Sequence, residues 1–115
     1  MKHVPAGERT PRPIQVEGAA GVQKAGLITA ADGSPTVAMR HFIIEPGGNT
    51  PYHTHDWEHV VYVVSGGGLA RSPEGEARIG GGDALLVDPD IEHNFVNDGD
   101  APLHFLCIVP LRGDG

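Results

Sequence analysis

Short apolar runs separated by glycine- and proline-rich turns are the feature that most constrains the fold of this chain. The sequence has 17 glycines and 10 prolines among its 115 residues, and they interrupt the apolar runs every few positions. Runs this short lack the long apolar faces of helices, whereas they suit short strands joined by tight turns. We therefore predict an all-β sandwich or barrel of about eight to ten strands, with little helix.

The length predicts one domain, large enough to bury a core without disulfides or other cross-links. Residues 1–21 are rich in proline, glycine and charge, and we expect them to form an N-terminal arm that is extended or partly disordered. Residues 22–112 carry the alternating strand patterns and form the predicted barrel. No signal peptide or membrane span is recognisable, and the single Cys107 suits a reducing compartment, so a cytoplasmic location is expected.

The charge pattern argues against a nucleic-acid partner. The net charge is −7, and the eight lysines and arginines occur singly rather than in a basic patch. We expect a small-molecule substrate or anion as the ligand, with no nucleic acid and no membrane as partners.

The segment "HTHDWEH", residues 53–59, contains three histidines and indicates a metal site. In an extended segment alternate side chains project to the same side, so His53 and His55 can bind one ion together. In the strand that follows, His59 has the same parity as two valines suited to a barrel interior. His59 is therefore predicted to point inward, and Glu58 outward, as a rim carboxylate or a hydrogen-bond partner of an imidazole.

A fourth candidate ligand comes from a different strand. The segment "GDALLVDPDIEHNFVN" places His93 after a tight turn, with Phe95 and Asn97 on the same face if the segment is extended. His3 lies outside this pattern, as do His41 and His104, because none has a partner at ligand spacing.

Two segments of the chain resemble the two conserved motifs of the cupin superfamily. The first motif is matched by Gly47, His53, His55 and Gly66, with His59 in the position of the usual glutamate. The second is matched by Gly82, His93 and Asn97, with Asp88 and Asp90 in place of its usual proline and glycine. The resemblance spans about residues 22–112, and it implies a cupin β-barrel, a jelly roll of two antiparallel sheets.

The histidine at position 59 is similar to that of a subgroup of small bacterial cupins in which four histidines bind the metal. The resemblance implies His53, His55, His59 and His93 as ligands, with Mn²⁺ favoured, Fe²⁺ next, and Zn²⁺, Ni²⁺ or Co²⁺ as alternatives. Because small cupins commonly pair, it also implies a homodimer, with the arm lying on the partner or on the outer sheet.

Other residues are candidates for catalysis and for the pocket wall. Arg40 lies in an apolar strand and needs an anionic partner, either an Asp or Glu of the protein or a substrate carboxylate. Cys107 is either a small buried hydrophobe or a thiol near the metal. These two are the candidate catalytic residues, and the predicted pocket residues are Tyr52, Trp57, Phe95, Phe105 and Cys107.

Four neutral imidazoles leave a divalent ion its full charge and, in six-coordination, two open positions. An oxygenase-type enzyme acting on a small organic substrate is the first hypothesis. The second is a Lewis-acid isomerase or lyase for a small polar metabolite, although no inward-facing acid or base stands out apart from Cys107 and the ligands. The third is a metal or small-ligand binding module without turnover.

Overall fold

The protein is built from nine β-strands, with no α-helix among residues 1–114, the part of the chain that this computed structural model describes. The strands are β1 (Arg12–Pro13), β2 (Ala20–Ile28), β3 (Val37–Asn49), β4 (His59–Ser65), β5 (Gly67–Ser72), β6 (Gly75–Gly80), β7 (Ala84–Val87), β8 (Asn94–Val96) and β9 (Leu103–Pro110). Single turns of 3-10 helix follow β2 and β9, namely η1 (Ala30–Asp32) and η2 (Leu111–Gly113). The all-β prediction is confirmed.

The long strand β3 links the two halves of a curled antiparallel sheet with the strand order β6-β5-β8-β3-β9-β4-β7. Its first part pairs with β2 and β9, whereas its last residue, Asn49, pairs with Val96 of β8 and with Ala20 of β2. Between these parts lie Gly47, whose φ is +81°, and Gly48, where a Cβ would collide with the carbonyl oxygen of Ala20. The two glycines therefore let one strand bend from one half of the barrel into the other.

The core follows from the period-two alternation of the central strands. In β9 every second residue is buried, and these four side chains meet Val61 and Val63 of β4, both fully buried. The inward residues of β9 are Leu103, Phe105, Cys107 and Val109. Full burial of each large apolar side chain contributes about 1.5–3 kcal/mol, so this face fixes the register of the strands.

Asn97 is a fully buried polar residue that fixes the chain after β8. Its Nδ2 donates to the carbonyl oxygens of Ile44 and Ala101, each at 2.8 Å, and its Oδ1 accepts from the Gly99 amide at 3.0 Å. With these bonds made, the buried amide carries little penalty. The asparagine thereby ties the loop that follows β8 to β3.

The N-terminal arm pairs with strand β2 of the same chain. Arg12 and Pro13 pair with Lys24 and Gln23 of β2. Farther back, Arg9 forms a two-pronged ion pair with Asp32, with distances of 2.8 and 3.2 Å. The strand β1 of the arm thus lies at the edge of the sheet, next to β2. Within residues 1–114, no helix is long and apolar enough to cross a membrane.

Candidate metal centre

A backbone bridge brings together the two histidines that the motifs predicted from distant segments. The amide of His53 donates to the carbonyl of His93 at 3.2 Å, and the amide of His93 donates back to His53 at 3.0 Å. Their imidazole rings lie 5.2 Å apart between centroids. Because the bridge is made by backbone groups, it positions both side chains without using their ring nitrogens.

His55 completes a three-histidine cluster that can hold a metal ion. One ligand atom from each of His53, His55 and His93 lies within 4.8 Å of the others. The carbonyl of His55 accepts from the amide of Asp90 at 2.8 Å, which ties the segment to the turn before β8. Asp90 adopts a left-handed φ of +66° at the position where the motif has glycine, a conformation that Asp tolerates better than most residues.

His59, the first residue of β4, is buried against His55, whereas Glu58 is exposed, as the strand alternation predicted. Its Nε2 lies 2.8 Å from Nε2 of His55, and its Nδ1 lies 3.1 Å from Sγ of Cys107. Two nitrogens at right angles on one ion, with bonds of about 2.1 Å, are about 3 Å apart. This spacing suits His59 as a fourth ligand, and that role stays a prediction.

The protonation of the cluster fits metal binding. Burial lowers the pKa values of His53 and His55, and burial together with the neighbouring histidines lowers the pKa of His59 to about 3. Neutral imidazole is the form that binds metals. His93 Nδ1 lies 2.9 Å from the carbonyl oxygen of Ile91; since a carbonyl only accepts, Nδ1 carries the hydrogen and Nε2 keeps its lone pair for a ligand.

Trp57 supports His55 from the side. The two rings stack with a centroid distance of 4.5 Å and an interplanar angle of 4°. The guanidinium of Arg112 lies 5.5 Å from the centroid of the Trp57 ring, and a Cβ at Gly113 would collide with the indole. The turn η2 therefore packs against the same ring that stacks on His55.

The histidines form one wall of a cavity of about 580 Å³. All residues predicted for the pocket line it: Tyr52, Trp57, Phe95, Phe105 and Cys107, with Arg40 beside them. The sequence analysis did not include nine further lining residues, which are Ile14, Val16, Glu17, Lys24, Phe42, Thr50, Pro51, Arg112 and Gly113. Phe42 lies two residues after Arg40 in the same strand, so alternation places both side chains on the face that lines the cavity. No local pattern predicted the path of the arm that carries Ile14, Val16 and Glu17.

Arg40 has the protein partner that one of the two alternatives required. Its Nη1 lies 3.2 Å from Oδ1 of Asp114, and its Nη2 donates to Sγ of Cys107 at 3.4 Å. Burial raises the pKa of the Cys107 thiol, although the nearby Arg40 lowers it in part. Cys107 is therefore protonated at neutral pH, which does not favour a nucleophilic role.

The fold and the site together define a small β-barrel domain with a histidine cluster suited to a divalent metal. Over residues 40–109 the chain matches the Cupin_2 family, described as Cupin domain. The match covers more than half of the chain, and the protein belongs to this cupin family.

Relatives with named activities fall into different reaction classes. The structure resembles that of the polyketide cyclase RemF from Streptomyces resistomycificus, with a TM-score of 0.90, 28% identity, and coverage of 96% of this chain and 80% of that one. Gentisate 1,2 dioxygenase 1 of Aquipseudomonas alcaligenes is 37% identical over 62 residues, 53% of this chain. Glucose-6-phosphate isomerase of Pyrococcus abyssi is 42% identical over 65 residues, 51% of this chain. The matches span only 18% and 34% of these two relatives.

Proposed function

We propose that the protein is a metal-dependent enzyme whose divalent ion is held by His53, His55 and His93, with His59 as the fourth ligand. Mn²⁺ is the favoured ion and Fe²⁺ the next. The observation that carries the proposal is the placement of three imidazoles, with ligand atoms within 4.8 Å, in the wall of an aromatic-lined cavity of about 580 Å³. Ligand pockets of about 300–1,000 Å³ with a few polar groups are typical of small-molecule sites.

Lewis-acid chemistry on a carbonyl-containing substrate is the reaction class that the site supports best. A divalent ion with open positions supplies polarisation of a carbonyl oxygen. The sequence analysis ranked this class second because it found no inward acid or base, but Glu17, Lys24 and Tyr52 line the cavity and provide groups for moving protons. The similarity to a polyketide cyclase over 96% of the chain supports the same class.

An oxygenase reaction is the second candidate, and the similarity to gentisate 1,2 dioxygenase 1 favours it. This hypothesis needs a redox-active ion and an open position for the oxidant beside the substrate. The aromatic walls of Phe42, Phe95 and Phe105 suit a ring-shaped substrate in either reaction.

Metal content tests the proposed site. Protein purified without added metal, then loaded with Mn²⁺, is expected to bind about one ion per chain, while His93→Ala weakens Mn²⁺ binding by more than the roughly 10- to 100-fold that loss of an outer hydrogen-bond partner costs. His3→Ala, at an exposed residue outside the cluster, is the matched control and should bind like wild type. Equal Mn²⁺ affinity in all three proteins, measured by elemental analysis and isothermal titration, contradicts the site.

Conversion of phenols, diketones and sugar phosphates, followed with and without dioxygen, separates the reaction classes. Turnover that continues under nitrogen supports Lewis-acid chemistry, whereas oxygen uptake equal to substrate loss supports the oxygenase. A protein that binds Mn²⁺ and small anions but converts none of these compounds is a binding module, and the enzyme proposal is then wrong.

A further inference from the structure

Arg40 is a buried cation in the wall of the candidate active-site cavity. It lies on β3, is 5% exposed, and its guanidinium carbon is 5.3 Å from the centroid of the Phe42 ring. Cys107 and His59 line the same cavity beside it. A buried guanidinium is costly unless its hydrogen-bond donors are paired. Any guanidinium nitrogen without a partner in the protein therefore indicates where a ligand acceptor would bind.

One edge of the Arg40 guanidinium has no oxygen acceptor. Nη1 pairs with Asp114 at 3.2 Å, but Nη2 donates only to the sulfur of Cys107 at 3.4 Å, and a thiol is a weak acceptor. Nε is buried and has no hydrogen-bond partner among residues 1–114. Nε and Nη2 together form a fork whose two N–H groups match the two oxygens of a carboxylate.

We infer that this fork binds the carboxylate of the ligand, and that the site takes small aromatic carboxylates. The inference rests on the proposed function, because it assigns a ligand class to the same cavity. The two N–H groups of Arg40 supply charge and fixed geometry, while the aromatic rings of Phe42, Phe95 and Phe105 contact the ring of the ligand. The carboxylate completes the hydrogen bonding of Arg40 that the protein leaves unfinished.

The competing explanation is that the fork serves Cys107 alone and stabilises its sulfur. In that case Arg40 acts within the protein, and ligands with and without a carboxylate bind equally. The two explanations differ in one measurable quantity, the preference of the cavity for an anion over a neutral molecule of the same shape.

Benzoate and benzamide are matched probes, because they share a ring and a planar head group but differ in charge. Binding is measured by isothermal titration on protein stripped with a chelator, so that a bound ion adds nothing to the carboxylate. Wild type is expected to prefer benzoate by about tenfold, the factor expected for one charge-assisted hydrogen bond. Arg40→Lys keeps the charge but removes the fork, and it should reduce the preference to about twofold or less.

Arg78→Lys is the matched control for the same substitution outside the cavity. Arg78 is exposed, and its terminal nitrogens already contact Asp98 at 3.3 and 2.8 Å, so the benzoate preference should persist. If Arg40→Lys fails to fold, Asp114→Asn in a Lys24→Gln background provides the test, because it removes the carboxylate paired with Nη1 of Arg40 while Lys24, the other cation that contacts Asp114 and lines the cavity, is already absent. It should strengthen benzoate binding and leave benzamide binding unchanged.

Equal binding of benzoate and benzamide by wild type, or a preference that survives Arg40→Lys, overturns the inference, and so does Asp114→Asn without effect on benzoate. These outcomes are distinct from failure of the proposed metal site. A protein that lacks Mn²⁺ binding but discriminates the two probes retains the Arg40 subsite. A protein that binds Mn²⁺ but does not discriminate them lacks it.

Discussion

Trp57 is the single tryptophan of the chain, and its indole lies flat against the imidazole of His55. We predict that Mn²⁺ quenches the fluorescence of Trp57 and that the quenching saturates at about one ion per chain. A paramagnetic ion bound to His55 would be close enough to the stacked indole to quench its excited state. The measurement is a fluorescence titration. Quenching that is unchanged in His93→Ala contradicts the placement of the ion, and Trp57→Phe, which should still retain Mn²⁺, shows that the signal comes from this residue.

Alternation along a single strand was sufficient to predict the orientations of His59 and Glu58. Each of these residues lies in a regular strand or directly beside one, so parity fixes its side of the sheet. The pairing of Arg40 with Asp114 could not be predicted, because the two residues are 74 positions apart and Asp114 belongs to an irregular turn. Contacts made by such turns depend on the path of the whole chain.

At the scale of elements, the turn η1 connects the arm to the barrel through Asp32. The carboxylate accepts from two nitrogens of Arg9 and from the backbone amide of Thr29, and Thr29 caps the turn in return. The ion pair with Arg9 and the bond from Thr29 lower the pKa of Asp32 to about 2. Asp32 therefore stabilises the folded protein above its ordinary pKa of 3.8, and this stabilisation is lost as the pH falls from there to about 2.

We predict that Asp32→Asn lowers the thermal midpoint at pH 7 and that the difference from wild type shrinks below pH 4 and vanishes near pH 2. Thermal unfolding followed by circular dichroism between pH 7 and 2 measures this. Glu74→Gln is the control, because the Glu74 side chain is exposed and no ion pair is recorded for it among residues 1–114. A constant difference between Asp32→Asn and wild type over the whole pH range contradicts the assignment.

Strands were easier to predict than their interruptions. The segment "EPGGNTP" has the proline and glycine content typical of a sharp turn, but β3 continues through it to Asn49 with a bend at Gly47 and Gly48. Glycine permits both a turn and a bent strand, so its presence alone does not distinguish them. The distinction comes from strand pairing: beyond the bend, Asn49 pairs with Ala20 of β2 and with Val96 of β8, and β8 lies far from β3 in sequence.

At the scale of the whole molecule, the outer face of β3, β9, β4 and β7 is apolar. One row across these strands consists of Met39, Ile108, Val60 and Leu86, and the next consists of His41, Leu106, Tyr62 and Ala84. Val60, Tyr62 and Leu86 are 48%, 50% and 62% exposed. Neither row contains Asp, Glu, Lys or Arg, although the chain carries a net charge of −7. Depletion of charge is typical of the centre of an interface.

We predict that this face joins two copies of the chain into a homodimer. Because the face carries no Asp or Glu, two acidic copies can make contact there without bringing like charges together. Tyr62→Lys should give a monomer at micromolar concentration in light scattering. The substitution makes the net charge less negative, so increased repulsion between copies cannot explain dissociation. Ile91→Lys, which changes a partly exposed apolar residue outside these rows, should stay dimeric. A monomeric wild type contradicts the prediction.

The backbone bridge between His53 and His93 determines when the proposed metal site can form. The bridge joins segments that meet only when the barrel has closed, and Cys107, the neighbour of His59, arrives with the last strand. Before the barrel closes, the segment 53–59 therefore offers its three histidines without His93, and the proposed site is complete only after folding. An ion that binds the folded state alone adds stability that grows with the logarithm of its free concentration. Affinity for imidazole sites differs among divalent metals in an order that proteins do not reverse easily, so the metal supply of the compartment in which the barrel closes would decide which ion the proposed site binds.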